Sequence, residues 1–253
     1  MSSRMHLEDI LYAQGFGTRR SCAGLIAAGA VEVLDASGAW QVAEADASVA
    51  GDFPSEGGRL RVLGQEWECH LKAYIMLHKP AGTECSQKPS AHPSVYSLLP
   101  APLRQRPHKG GALGVQAVGR LDQDTTGLLL LSDDGQFIHR MSSPKKHVAK
   151  VYEVTTKHPL TENQVQQLLV GVVLDDDPEP VKAAAAECVS SHHLRLTLTM
   201  GKYHQVKRML AAVSNRVERL HRSQIGGLAL PEDLLPGQWR YLSEHELLLA
   251  QSR

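Results

Sequence analysis

GRLDQDTTGLLLLSDDG, residues Gly119 to Gly135, joins a charged loop to a core element. From Gly127 the chain runs through Leu128, Leu129, Leu130 and Leu131, then meets Ser132-Asp133-Asp134-Gly135. A short apolar run closed by turn residues reads as a buried strand. The residues before it set Arg120, Asp122 and Asp124 on a polar loop that feeds straight into that strand. Charged groups at the mouth of a core strand make this loop the first candidate for chemistry.

Outward from this strand, Tyr74 to Leu77 forms a second apolar strand that ends in a Lys-Pro-Ala-Gly turn. The segment from Ser86 to Gly114 carries Pro and Gly with little periodicity and is expected to be a long loop around a cleft. Downstream, Gln136 to Met141 reads as a short helix and Lys150 to Thr156 alternates as a strand. Thr161 is placed to cap a helix that runs to about Val170. DDDPEP, 175–180, reads as a solvated acidic loop. Val181 to Cys188 and His193 to Met200 are two further strands, His204 to Val213 a helix, and Arg216 to Leu220 another strand. Helices and strands intermix without a regular βαβ rhythm. The expected fold class is therefore α+β, with a mixed, largely antiparallel sheet and flanking helices.

The first 65 residues read as a separate small α/β unit. Leu7, Ile10 and Leu11 recur at helical spacing, and Gly15-Phe16-Gly17 ends that helix. Thr18 is a candidate N-cap for a second helix, and Val31 and Val33 alternate as a strand. Gly51 to Gly58 is a linker, so the expected domains are 1–65 and 66–253. Residues 1–68 hold five Lys/Arg against ten Asp/Glu, and the rest holds 22 against 17 within a chain of zero net charge. A bound polyanion should be held mainly by the C-terminal part.

Composition is that of an ordinary globular protein, 42% hydrophobic and 21% charged. The N-terminus has no apolar h-region and no 18-residue apolar run occurs, which excludes a secretion signal and a membrane-spanning helix. Cys22, Cys69, Cys85 and Cys188 are scattered and read as free thiols of a cytoplasmic protein. The thirteen histidines lack metal-ligand spacing, and Gly15-x-Gly17 lacks the preceding strand of a dinucleotide fingerprint.

Asp122, flanked by Arg120 and facing cations from elsewhere, stays ionised and can attack an electrophilic carbon or accept a proton. Both uses occur at glycosidic carbons. Asp124, two residues on, reads as a structural acid that caps the turn before Thr125-Thr126-Gly127. A second cluster, GKYHQVKRML at 201–210, packs Lys202, His204, Lys207 and Arg208 at the start of a helix. Val206, Met209 and Leu210 cover its core side, so the cations face outward as a phosphate-tracking surface. From 200 to 222 six Lys/Arg meet a single acid, Glu218.

Four pieces in order resemble the pseudouridine synthases: Gly119-Arg120-Leu121-Asp122 with Thr126-Gly127-Leu128; Lys150-x-Tyr152; Gln205-Val206-Lys207-Arg208-Met209; and LHRSQIGGLAL from Leu220. Within that superfamily the chain is most similar to the small-subunit ribosomal RNA branch, whose members begin with an S4-like RNA-binding domain. The match spans roughly 70–245. The resemblance implies an isomerase that turns a uridine of 16S ribosomal RNA, uridine 516, into pseudouridine. It assigns Asp122 as the catalytic aspartate, Lys207 as its ion-pair partner, Tyr152 as the base platform and Arg120 as a residue holding the cleft loop or the nucleotide. Arg19, Arg20, Lys79, Lys150, Lys202, Arg208 and Arg222 become candidate RNA contacts. It further implies no cofactor and no metal, because the reaction is redox-neutral within one nucleotide. The expected partner is ribosomal RNA in a small-subunit assembly intermediate, met by a monomer without a membrane.

The N-terminal unit resembles an S4 domain through EDILYAQGFGTRRSCAGLIAAGAVEV, with Arg19 and Arg20 toward RNA. It departs from that pattern at His6 and Asp9, where a basic pair is usual, and at Leu34-Asp35 in place of an Asn-Gly or Asp-Gly turn. Two rivals stand beside the main reading. One is the same chemistry on large-subunit RNA, disfavoured because those branches carry Asn-Arg-Gln-Ile-Arg-Arg where this chain has Tyr203 to Arg208. The other is a non-catalytic S4-type assembly factor, disfavoured by intact Asp122, Tyr152 and Lys207.

Overall fold

The computed structural model describes residues 5–44, 48–49, 56–107, 114–175 and 177–252. Two compact units divide the chain: Met1–Ala73 with Leu99–Gln116, and Tyr74–Leu98 with Ala117–Arg253. The division differs from the 65/66 cut expected from the sequence. The strand Gln65–Glu68 pairs with Arg59–Val62 and so belongs to the first unit, and a segment from beyond residue 98 returns to it. Residues 51–55 of the expected linker lie outside the described residues.

In the first unit the helix Leu7–Gln14 ends at Gly15, whose φ of 94° lets its N–H reach back to the Leu11 and Tyr12 carbonyls. Thr18 caps the helix Arg19–Ala27 by accepting from the Ser21 N–H. Four antiparallel strands follow in the order Trp40–Val42, Val31–Leu34, Arg59–Val62, Gln65–Glu68. Leu7, Ile10, Leu11, Cys22, Ile26, Val31 and Leu60 form its core.

The segment expected to be a long loop contains the helix Ala101–Gln105, with Pro102 in its first turn, where a missing N–H costs nothing. Arg106 fixes this segment within the first unit. Its guanidinium is buried and donates to Gln14 Oε1 at 3.0 Å, His70 O at 2.8 Å and Leu71 O at 3.2 Å. Gln14 Oε1 also accepts from Trp67 Nε1. Residues 108–113 of the segment lie outside the described residues.

The second unit is built on one mixed sheet, as α+β requires. Its path runs Ala185–Ser190, His193–Leu198, Lys150–Thr156, Val217–Ile225, Thr126–Ser132, Tyr74–Lys79, Trp239–Tyr241. Among these pairs, Val217–Ile225 beside Thr126–Ser132 is parallel and the rest are antiparallel. Leu128 to Leu131 are fully buried, each contributing about 1.5–3 kcal/mol of transfer free energy. The parallel contact depends on Gly127. At its φ of 109° a Cβ would sit 2.3 Å from the Arg222 carbonyl oxygen, so only glycine lets the two backbones meet.

Asp134 caps the helix Gly135–Ser142, which lays Phe137 and Met141 on Met76, Leu128 and Leu130. The helix Glu162–Val170 starts at Thr161 with a full capping box. Two further expectations change. Part of the acidic 175–180 stretch is a strand, Asp177–Val181, paired with Val172–Leu174. The strand expected to end at Leu220 continues to Ile225, because His221, Arg222 and Gln224 pair with Glu153, Tyr152 and Val151.

Candidate active site

The loop from Arg120 to Thr125 is tethered from below by a lysine. Lys79 is 0% exposed, and its Nζ donates to Pro80 O at 3.0 Å, Gln123 O at 3.3 Å and Thr125 O at 2.9 Å. Burial pulls the Lys79 ammonium below its ordinary value, with Asp124 and Asp122 among the groups opposing that. A buried lysine spent on three carbonyls cannot touch RNA, so the expectation that Lys79 is an RNA contact is corrected. It holds the loop instead.

Above that tether the Asp122 carboxylate has two cationic-type neighbours: Lys207 Nζ at 3.2 Å and His204 Nε2 at 3.4 Å. Both come from the start of the helix Gln205–Ala212, whose Val206, Met209 and Leu210 are buried as the sequence pattern requires. Lys207 is shared. Its Nζ donates to Asp124 at 2.7 and 2.9 Å, closer than to Asp122. Asp124 is therefore an ion-pair partner as well as a turn residue. Burial opposes the charge on Lys207, yet the Asp124 and Asp122 carboxylates raise it above the ordinary lysine value. Burial likewise opposes charge on Asp124, and the Lys207 hydrogen bond and charge hold its carboxyl below the ordinary range.

These groups border a cavity of about 320 Å³ that also takes in Arg120, Lys150, Tyr152, Lys202, Tyr203 and Arg222. Tyr152 is 9% exposed and sits in register with Arg222 on one side and Leu196 on the other, so all three share a face of the sheet. Lys150, two residues back on the same face, donates to Val148 O, and burial then the Arg222 charge bring its ammonium down to about 8. Arg222 is 1% exposed and its Nε donates to Leu128 O at 2.8 Å. It belongs to the wall of the cavity rather than to an open surface. Arg120 is exposed at the cavity and, among the described residues, makes no ion pair with Asp122. The basic neighbours of that acid are Lys207 and His204 instead of the expected Arg120.

Lys202 and Arg208 lie partly buried around the same helix start, where Arg208 Nη1 donates to Tyr203 O. In the first unit Arg20 is exposed, whereas Arg19 pairs with Asp9 at 2.9 Å and lies 4.2 Å over the Tyr12 ring. The acid that departs from the S4 pattern thus engages one of the two arginines expected at RNA. Sequence reasoning missed His204 as a neighbour of Asp122. The signal was its place at the helix start, three residues before Lys207. Among the described residues no His, Cys, Asp and Glu groups cluster in a metal-binding arrangement, and no helix is long and apolar enough to cross a membrane.

Residues 73–212 match the family described as RNA pseudouridylate synthase. The ribosomal small subunit pseudouridine synthase A of Yersinia pestis is 45% identical over 174 residues, covering 69% of this chain and 71% of that protein. Its counterpart in Escherichia coli (strain K12) is 44% identical over 178 residues, covering 70% and 74%. A solved pseudouridylate synthase superposes with a TM-score of 0.65 at 32% identity, covering 97% of this chain and 99% of that one. The chain belongs to the RNA pseudouridylate synthase family, enzymes that convert uridine in RNA to pseudouridine.

Proposed function

We propose that this enzyme acts on small-subunit ribosomal RNA, at uridine 516 of 16S RNA, with Asp122 as the catalytic carboxylate. The observation that carries the reading is the Asp122 carboxylate between Lys207 and His204 at the edge of the cavity containing Tyr152. The names of the relatives support the RNA target. A uridine inside a helix is unreachable, so the base must turn out of its stack and enter the cavity. Tyr152 then packs against the ring as its platform. Asp122 acts on the ribose, by bonding C1′ or by taking a sugar proton, and the C1′–N1 electron pair leaves on the uracil. The freed base rotates and C5 bonds C1′ as the Asp122–C1′ bond breaks or, on the other route, as the sugar proton returns to the ribose; the C5 proton then leaves, N1 ends protonated, and Asp122 is again a free carboxylate. Atoms and electrons balance within the one nucleotide.

Lys207 orients Asp122 through a charge-assisted contact. Lys150 and Arg222, at the wall, supply positive charge toward the uracil while its negative charge develops. Arg120, Lys202 and Arg208 guide the backbone at the rim. The first unit, Met1–Ala73 with Leu99–Gln116, acts as an S4-like RNA-binding domain through Arg20 and Arg19, and the second unit acts as the catalytic domain. The substrate is a small-subunit assembly intermediate in the cytoplasm, because finished subunits bury many bases, and the enzyme works as a monomer. Pseudouridine mapping of ribosomal RNA from cells with and without the gene tests the target. Loss of the small-subunit site supports it, loss of a large-subunit site moves the target, and an unchanged map contradicts the proposal.

A further inference from the structure

The cavity has two aromatic surfaces, and the proposed reaction uses one. Tyr152 is the buried one. The other is Tyr203, which is 72% exposed; among the described residues no other Phe, Tyr or Trp is so open. Its ring stacks on His204 with centroids 3.8 Å apart and planes within 21°. Large exposed aromatics are uncommon on globular surfaces, and one backed by a second ring at a cavity mouth is a surface shaped for another flat group.

The pair is held in place before any ligand arrives. His204 adopts a left-handed backbone conformation, φ 47°, which costs free energy for a non-glycine residue. The turn that enforces it is closed by Lys202 N–H donating to Gln205 Oε1 at 2.8 Å and by Arg208 N–H donating to His204 O at 3.0 Å. The carboxylate of Asp122 lies 3.4 Å from the imidazole, and the Arg208 guanidinium holds the Tyr203 carbonyl. One face of the Tyr203 ring is taken by His204, and the high exposure leaves the other to solvent. Strain kept at a binding surface is preorganisation, because the ring need not be ordered when a ligand stacks.

We propose that the outer face of Tyr203 is a stacking subsite for the nucleobase adjacent to the flipped uridine. This rests on the proposed reaction at Asp122. Turning one base into the cavity removes a stacking partner from each of its neighbours. An exposed ring at the cavity rim replaces that lost contact, and aromatic stacking serves any base sequence. Tyr203 thereby stabilises the flipped state without touching the reacting atoms.

The test uses the full chain and an RNA hairpin of small-subunit sequence around the target uridine, with 2-aminopurine placed in turn on its 5′ and 3′ sides. The parent should quench the probe at one of the two positions, and Tyr203→Phe should keep that quench. Tyr203→Ala should abolish it and bind about tenfold more weakly. An abasic nucleotide at the same position should weaken binding to the parent by the same factor and add nothing to the Tyr203→Ala loss. Parental quench and affinity in Tyr203→Ala, or indifference of the parent to the abasic site, overturns the subsite. A parent that stacks the probe yet forms no pseudouridine in the hairpin leaves the subsite standing and counts against the proposed target.

Discussion

At the scale of single residues, the centre is an acid–lysine–acid arrangement. Lys207 serves Asp122 at 3.2 Å and Asp124 at 2.7 Å, so removing it leaves two neighbouring carboxylates without their shared cation. Lys207→Met is expected to lower the single-turnover rate about 10²–10³-fold while RNA affinity changes only a few-fold, read by rapid-quench kinetics beside filter binding. Lys207→Arg, which keeps the charge, should recover part of the loss. The pairing of residues 122 and 207 was legible through the four motifs and not through spacing alone. His204 was visible as a member of a basic cluster, yet its reach to Asp122 depends on a left-handed turn that composition does not reveal. Lys79 was misread because a lysine beside a Pro-Ala-Gly turn looks solvent-facing, and only the fold brings three carbonyls around it.

At the scale of elements, local signals succeeded where capping or apolar runs were strong. Lys150–Thr156 and Glu162–Val170 fall where alternation and the Thr161 cap put them. Ala101–Gln105 was hidden by prolines that a helix start tolerates, and the end of Val217–Ile225 by the polar run His221-Arg222-Ser223-Gln224, of which Arg222 lines the cavity. The tether of Lys79 belongs to this scale, since it joins the Tyr74–Lys79 strand to the Asp122 loop. Lys79→Met should cost about 3 kcal/mol by orphaning buried carbonyls, and leave the salt dependence of RNA binding unchanged. Arg120→Ala should do the reverse, keeping stability and reducing the log–log salt slope by about 1. Chemical denaturation and salt titration of the two variants separate the roles.

The C-terminal helix Glu244–Ala250 gives a pH test. Glu246 accepts two hydrogen bonds from Arg240, completes the Ser243 capping box, and has its carboxyl brought to about 2 by Arg240 first. A carboxyl lowered in the folded state adds stability above its ordinary value near 4.5, and that gain fades as pH falls toward about 2. Glu246→Ala should therefore destabilise the protein by about 1–2 kcal/mol at pH 7, and the gap to the parent should narrow below about pH 4.5 and close only as pH falls through about 2. Thermal melts across that range check it. A gap that stays constant would place the contribution in packing.

At the scale of the whole molecule, the fold class and the presence of an acidic N-terminal part before a basic remainder were legible in order and composition. The limits of the two units were not, because Leu99–Gln116 leaves one unit in sequence and returns to it in space through Arg106. The account as a whole requires the molecule to bind RNA by one set of groups and transform it by another. The direct measurement is conversion of small-subunit RNA by Asp122→Asn under single-turnover conditions, with affinity measured on the same preparation. The expected outcome is parental binding with pseudouridine formation reduced at least about 10⁴-fold. Parental conversion by that variant would contradict the central assignment.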